Sequence, residues 1–160
     1  MKAATLRGKP VISLAEASKL GYVNDLHLDP NELRVVALRI GSNGHGAMIP
    51  FGDIQSIGDD AVTIPNNQCS RVGGTNGTYG SLPDLERLRK LKVVDENGTY
   101  LGMVGDVEVD RKSGRIVELL VKRSLLMGMF RRWTRIPARA IRSVGPELLI
   151  VKFNEPNPTT

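Results

Sequence analysis

The amino-acid sequence contains an internal repeat, and this repeat constrains the fold more than any other feature of the chain. Residues 20–29 (LGYVNDLHLD) recur as residues 101–110 (LGMVGDVEVD). Three further pairs of segments match in the same order: residues 34–38 with 115–119, 49–50 with 136–137, and 61–64 with 148–151. Because order, spacing and chemical type are all kept, the sequence predicts two homologous units, at residues 1–65 and 85–153.

The segment between the two units, residues 66–84, has the composition of a linker. It is rich in Gly, Asn, Ser and Thr and poor in apolar residues. Asp84 at its end is a typical N-cap residue, so a short helix is expected directly after it. Residues 154–160 contain two prolines and are expected to form a disordered tail.

Each unit is predicted to consist of five or six short β-strands, because its apolar runs are short, β-branched and separated by turn residues. Two sets of residues are each expected to share one strand face: Val36, Leu38 and Ile40, and Val117, Leu119 and Val121. In the preceding strand the alternation slips near Asp25 and near Asp106, which predicts a β-bulge in both units. The chain is therefore expected to be mostly β, with two small barrels in tandem.

These features resemble the PRC-barrel domain. This is the fold of the cytoplasmic domain of the photosynthetic reaction-centre H subunit and of the C-terminal domain of the ribosome-maturation factor. The resemblance rests on the pattern apolar–Gly–x–Val–x–Asp–apolar, followed by an Asp-led turn, a β-branched strand, Ile-Pro and a final strand, in both copies. It implies two PRC-barrel-like β-barrels in tandem. It carries over no specific function, because the sequence shows neither the transmembrane helix of the H subunit nor the N-terminal domain of the maturation factor.

Several residues of the repeat are expected to serve the fold. Asp25 and Asp106 are predicted to bond the backbone of the bulges, and Asp29 and Asp110 to open hairpin turns. Acid–base or metal chemistry at these carboxylates would need a third convergent group, and the sequence shows none. The predicted structural residues are Gly21, Asp25, Asp29, Pro50, Gly102, Asp106, Asp110 and Pro137.

The sequence predicts no catalytic, cofactor-binding or metal-binding residue, and the protein is expected not to be an enzyme. The chain has one cysteine and two histidines, which is little material for a metal site or a catalytic pair. Cys69 lies in the linker without a partner, and His27 is expected to point away from the core. Residues 41–46 are glycine-rich, but a predicted strand follows them, so they indicate a hairpin loop rather than a phosphate loop.

The second unit carries an insertion of about six residues at 124–135, where the first unit has only residues 42–46. It combines apolar and aromatic residues with arginines, and residues 122–142 contain seven Lys and Arg and no Asp or Glu. Two interpretations stand side by side. The insertion either forms an adhesive tip, or folds back over the barrel with an ordinary strand at Arg131, Trp133 and Arg135. The predicted partner-binding residues are Leu125, Leu126, Met127, Met129, Phe130, Arg131, Arg132, Trp133 and Arg135.

The first functional hypothesis is a non-catalytic adaptor or scaffold that binds a protein partner through this insertion. One alternative is attachment to an anionic membrane surface through the same residues. Another is an RNA-associated or ribosome-associated assembly factor, which the low aromatic content of 4% disfavours. No cofactor and no small-molecule substrate are expected. The expected location is the cytoplasm, with the inner membrane face as a second option, because the N-terminal residues do not form a secretory signal.

Overall fold

The computed structural model describes residues 1–41, 46–72, 78–125, 128 and 130–152, and at residues 72, 125 and 130 it describes the backbone alone. The first unit contains β1 (Pro10–Ser13), β2 (Ser18–Asp29), β3 (Arg34–Ile40), β4 (Ala47–Pro50), β5 (Ser56–Ile57) and β6 (Val62–Ile64). After it come β7 (Arg71–Val72) and the short helix α1 (Leu85–Leu88). The second unit contains β8 (Lys92–Asp95), β9 (Tyr100–Val109), β10 (Ile116–Leu125), β11 (Phe130–Pro137), β12 (Ile141–Val144) and β13 (Leu148–Val151).

The two units have the same topology. Their sheets run β5-β6-β1-β2-β3-β4-β7 and β12-β13-β8-β9-β10-β11. In each unit the first strand pairs with the last in parallel, β1 with β6 and β8 with β13, and the other pairs are antiparallel. The structure thus confirms the predicted mostly-β architecture of two homologous units, and it adds β7 as a seventh strand on the first sheet.

The predicted bulges are present in both units. The register between β2 and β3 skips Asn24, and that between β9 and β10 skips Gly105. The following carboxylates, Asp25 and Asp106, turn inward and are buried. Each accepts a hydrogen bond from the next backbone N–H, at 2.8 Å, so these carboxylates satisfy backbone donors that the bulge removes from the ladder.

In β3 and β10, the prediction of which residues share the inward face is wrong at one residue each, Val36 and Val117. A second bulge skips Val36 in the first unit and Val117 in the second. Val117 is therefore 51% exposed, and the buried residues at these places are Val35 and Ile116. A period-two pattern cannot reveal a bulge when both neighbouring residues are β-branched.

The Asp-led turns that follow β2 and β9 are held by their carboxylates. Asp29 accepts from the backbone N–H groups of Asn31 and Glu32. Asp110 accepts from the backbone N–H and the hydroxyl of Ser113. The backbone hydrogen bond from Ser113 has the largest effect and its hydroxyl the next, and together they hold the pKa of Asp110 below its ordinary value of 3.8. The turn therefore gains stability above that pH and loses it as the pH falls through the lowered pKa.

The two units pack against each other about a pseudo-two-fold axis. Val35 N donates to Gly114 O, and Ile116 N donates to Leu33 O, both at 2.8 Å. Residues 33 and 35 of the first unit correspond to 114 and 116 of the second in the repeat, so the two bonds are reciprocal. The buried residues of both units form one continuous hydrophobic cluster.

In each unit, the segment before the first strand packs on the sheet of the other unit. The 3₁₀ turn Ala3–Leu6 lies against β9, and α1 lies against β2. Leu28 N donates to Pro83 O at 2.9 Å, and Val109 N donates to Met1 O at 2.7 Å. Because the N-terminal segment of each unit packs on the sheet of the other, these contacts hold the two units in one relative position.

His27 lies in this interface, and its predicted outward orientation is wrong. Its side chain is 5% exposed, and its Nδ1 lies 3.1 Å from Leu82 O. The segment before α1 covers the strand face that would be solvent-exposed in an isolated unit. The sequence of one unit cannot show this packing, because the covering residues lie more than fifty positions away.

Gly102 permits a close approach between β9 and β10, and replacing it with alanine is expected to cost about 3 kcal/mol. Its φ is +137°, and a Cβ there would overlap the Lys122 carbonyl, whose carbon would lie 2.9 Å away. The matched control is Gly21→Ala, with φ +152° and the nearest atom 4.0 Å away. It is expected to cost about 1 kcal/mol. Urea denaturation of both variants measures the difference, and equal losses would contradict the clash.

Candidate partner-binding hairpin

The strands β10 and β11 form a hairpin that is longer than its counterpart in the first unit. Its ladder extends to Leu125 opposite Phe130, whereas the ladder of β3 and β4 ends at Ile40 opposite Ala47. The insertion therefore continues both strands and places its residues on a two-stranded arm. We call residues 122–125 and 130–135 the hairpin arm.

The hairpin arm leaves the protein core within two residues. Leu119, Val121 and Ile136 face inward and are buried. The next inward-facing pair, Arg123 opposite Arg132, is exposed on both strands. Arg131, Trp133 and Arg135 on the opposite face are exposed as well, so both faces of the arm carry accessible side chains.

Trp133 rests on the bulge of β9. A methyl group at Gly105 would overlap the indole ring and lie 2.8 Å from its Cη2 atom, so the absence of a side chain at Gly105 leaves room for the ring. The indole is nevertheless 55% exposed. A large aromatic side chain that is held on one side and open on the other is typical of a binding surface.

Cations surround Trp133. Lys122 is its direct cross-strand neighbour, and Arg131 and Arg135 stand two positions away on the same face. Arg135 forms an ion pair with Glu118 at 2.9 Å, whereas Arg131 has no acidic partner among the residues that the structure describes. Beyond the arm, Arg142 pairs with Glu96 at 3.0 Å. The surface therefore keeps an excess of positive charge and favours an anionic partner.

A small cleft of about 210 Å³ opens beside the arm. Tyr100, at the start of β9, is 42% exposed and forms one wall. The Arg123 guanidinium lies 5.9 Å from the centre of the Tyr100 ring, within the range of a cation–π contact. The residues that line the cleft are Tyr100, Met103, Lys122, Arg123, Ser124 and Arg131.

The structure locates only part of the predicted site. Arg131, Arg132, Trp133 and Arg135 lie exposed on β11. Leu125 and Phe130 occupy the last described pair of the ladder, but their side chains lie outside the described part. Leu126, Met127 and Met129 also fall outside the described residues, so the predicted role of the apolar tip stays a prediction.

Sequence reasoning missed the contribution of β9 to this surface. Tyr100, Met103 and Gly105 are at least nineteen positions from the insertion in the chain, and strand pairing brings them beside it. One signal was available. Gly105 stands at the bulge where the first copy has Asn24, and a glycine within a strand often marks a close approach by another group.

The described part of the chain contains no group of three His, Cys, Asp or Glu residues that could hold a metal ion. The predicted carboxylates serve other contacts. Asp25 pairs with Arg7 at 2.8 Å, and Asp106 accepts from Ala4 N at 3.1 Å. No helix among the described residues is long and apolar enough to span a membrane.

Comparison with known protein families agrees with the fold and the repeat. A family model for the PRC-barrel domain matches residues 1–68 and again residues 84–155. No curated protein matches the chain. PRC-barrel domains are small, non-catalytic modules of the binding type. The chain therefore belongs to the PRC-barrel family and carries two copies of the domain in tandem.

Proposed function

We propose that the protein is a non-catalytic adaptor whose two units form one platform and whose hairpin arm binds a protein partner. The observation that carries the proposal is the asymmetry between two otherwise similar units. The repeat duplicates the strands, the bulges and the turns, but only the second unit has the long cationic arm. A feature added to one copy of a duplicated fold adds nothing to the common architecture, so it points to a separate role.

The chemistry of the arm supports a protein as the partner. Trp133 is exposed between cations, and Trp and Arg are the residues most enriched at the energetic centres of protein interfaces. A single-stranded nucleic acid would call for several stacking rings, and the described exposed rings at this surface are Trp133 of the arm and Tyr100 of β9. A protein partner can pair acidic side chains with the cations of the arm and pack apolar side chains against Trp133.

The contacts between the units support the platform. One backbone hydrogen bond joins β3 to the segment before β10, its reciprocal bond joins β10 to the residue before β3, and Ala4 N donates to Asp106 across the interface. Arg111 of the second unit also pairs with Asp59 of the first at 3.1 Å. A partner that binds the arm is thereby held at a defined position relative to the first unit.

The experiment places a photo-crosslinking amino acid at Arg131 in the full chain and, as a matched control, at Leu14. Leu14 is 52% exposed on the first unit, far from the arm in the sequence. We expect a crosslinked protein from position 131 that position 14 does not give. That protein is then purified and titrated with the wild type, with Trp133→Ser and with Leu14→Ser.

The expected result is a loss of at least tenfold in affinity for Trp133→Ser and a change within about twofold for Leu14→Ser. Equal affinities for the three chains would contradict the proposal. So would a nuclease-sensitive crosslink, which would indicate RNA. A vesicle flotation experiment tests the membrane alternative. If the wild type floats with anionic but not with neutral phospholipid vesicles, and the double variant Arg131→Glu/Arg132→Glu does not float, the partner is a membrane surface. Thermal melting checks that each variant is folded.

A further inference from the structure

In the first unit, the outer edge of β4 is covered by an added strand. β7 pairs with β4 antiparallel, with Ala47 opposite Val72 and Met48 opposite Arg71. β7 lies in the segment between the two units, outside the six strands that both units share. This chain therefore shows that this edge of the sheet can accept a strand from outside the domain.

In the second unit the equivalent edge belongs to β11. β11 is the last strand of its sheet, and no described strand pairs with its outer side. Thr134 and Arg135 correspond in the repeat to the covered residues Ala47 and Met48. This edge runs from Phe130 to Pro137, which is roughly 27 Å of strand. The outer side of an edge strand presents N–H and C=O groups to which an extended peptide can bind.

The side chains along this edge select for negative charge. Arg131, Trp133 and Arg135 project to one face of β11 and Arg132 to the other, and all four are exposed. A residue on an added strand would lie about 5 Å from the residue opposite it, measured between Cβ atoms. Carboxylates at alternate positions would therefore meet Arg131 and Arg135 on either side of the indole.

The same charges disfavour a second copy of this chain. In antiparallel pairing of two β11 edges centred on Trp133, Arg131 of each copy would face Arg135 of the other. Like charges directly opposite each other destabilise a strand pair. Arginines on an edge also suppress self-association, but that role requires no exposed tryptophan between them.

We infer that the outer edge of β11 binds an extended acidic segment of a protein partner as an additional antiparallel strand, in the way that β7 covers β4. The inference rests on the proposed adaptor function and specifies its mode of recognition. Backbone hydrogen bonds supply part of the affinity, and the pairing of carboxylates with Arg131 and Arg135 sets the register.

The test uses the full chain and a blocked octapeptide of alternating Thr and Glu as the probe. Trp133 is the only tryptophan of the protein, so its fluorescence reports binding at the hairpin arm, and N-methylated peptides distinguish pairing with the edge from binding to a face. Two further peptides carry N-methyl groups, one at the four Thr and one at the four Glu. In an antiparallel pair, alternate residues direct their N–H groups to the same neighbour, so only one of the two sets faces the protein.

The expected result is a loss of at least tenfold in affinity for one N-methylated peptide and a change within about threefold for the other. Slowed amide exchange at alternate residues of 130–137 is expected with the parent peptide. Equal affinities for the three peptides, or no binding of the parent peptide at low salt, would overturn the inference. Neither result would affect the crosslinking experiment at Arg131, whose failure would instead overturn the adaptor function itself.

Discussion

Replacing Gly114 with leucine is expected to destabilise the protein by about 3 kcal/mol, and replacing Phe51 with alanine in the same chain is expected to restore part of that loss. A Cβ at Gly114 would lie 2.9 Å from Phe51 Cε1 and 3.0 Å from Val35 O. Gly114 also has φ +74°, a conformation that costs an L-residue about 1 kcal/mol. The clash and the strain therefore add at one position of the interface between the units.

The restoring effect is expected because the protein already contains the exchanged pair. In the repeat, Gly114 corresponds to Leu33 and Phe51 corresponds to Ala138. Leu33 has φ +51°, so a leucine is tolerated in this turn conformation. Each side of the pseudo-two-fold axis thus has one large and one small residue, in opposite units.

Urea denaturation of the two single variants and the double variant measures this coupling. Phe51→Ala alone is expected to cost about 3 kcal/mol, because the ring is buried. We expect the cost of the double variant to be smaller than the sum of the single costs by about 1 kcal/mol or more. The control is Gly98→Ala, which has φ +81° and no atom within 4 Å. It should cost about 1 kcal/mol. If the losses of unfolding free energy in the two single variants simply add in the double variant, a small residue at position 51 does not make room for a large one at position 114, and the explanation is wrong.

The second large effect is expected at Asp25, where Asp25→Asn should cost about 3 kcal/mol. The carboxylate is 1% exposed, lies 2.8 Å from Arg7 and lies 3.7 Å from Arg39. The Nε atoms of both arginines are buried and have no hydrogen-bond partner within the described part. Loss of the negative charge would leave two partly buried guanidinium groups beside a neutral amide. Their side chains are 27% and 32% exposed, which holds the cost near the lower end for buried pairs.

Asp106→Asn is the matched control, because Asp106 occupies the same position of the second unit. Its oxygens accept hydrogen bonds from Ala4 N and Val107 N, and the position that corresponds to Arg39 is the buried Leu120. An asparagine oxygen can still accept such bonds, so a cost of about 1 kcal/mol is expected. Denaturation of both variants at neutral pH gives the comparison. A smaller loss for Asp25→Asn than for Asp106→Asn would contradict the electrostatic explanation.

The first of these predictions depends on a contact that one unit does not contain by itself, and the second concerns ion pairs of the first unit that lie close to the interface. Phe51 meets Gly114 across the interface. Arg7 approaches Glu86 of the second unit at 3.7 Å, and Arg39 approaches Asp84 at the end of the linker at 4.0 Å. Some of the positions that differ between the two copies therefore lie where the copies meet, and others lie on the hairpin arm. The first group adapts the two halves to each other, and the second distinguishes the surface of the second unit.

Several features follow from local sequence alone. The repeat determined that there are two similar units, and short β-branched runs between turn residues determined that both are built from strands. The slips near Asp25 and Asp106 were enough to locate a bulge in each unit. These features could be predicted because period-two alternation, turn chemistry and repetition are properties of neighbouring residues.

Other features were decided only by the tertiary structure. The interface about the pseudo-two-fold axis buried His27 against the segment before α1. A second bulge in the strand pairing of each unit moved Val36 and Val117 out of the faces predicted for them. Strand pairing covered the edge of β4 with β7, whereas no described strand covers that of β11, and the pairing of β9 with β10 brought Tyr100 and Gly105 beside the arm. Each of these outcomes joins residues that are distant in the chain, and such contacts depend on which surfaces are left to cover once the local strands have formed.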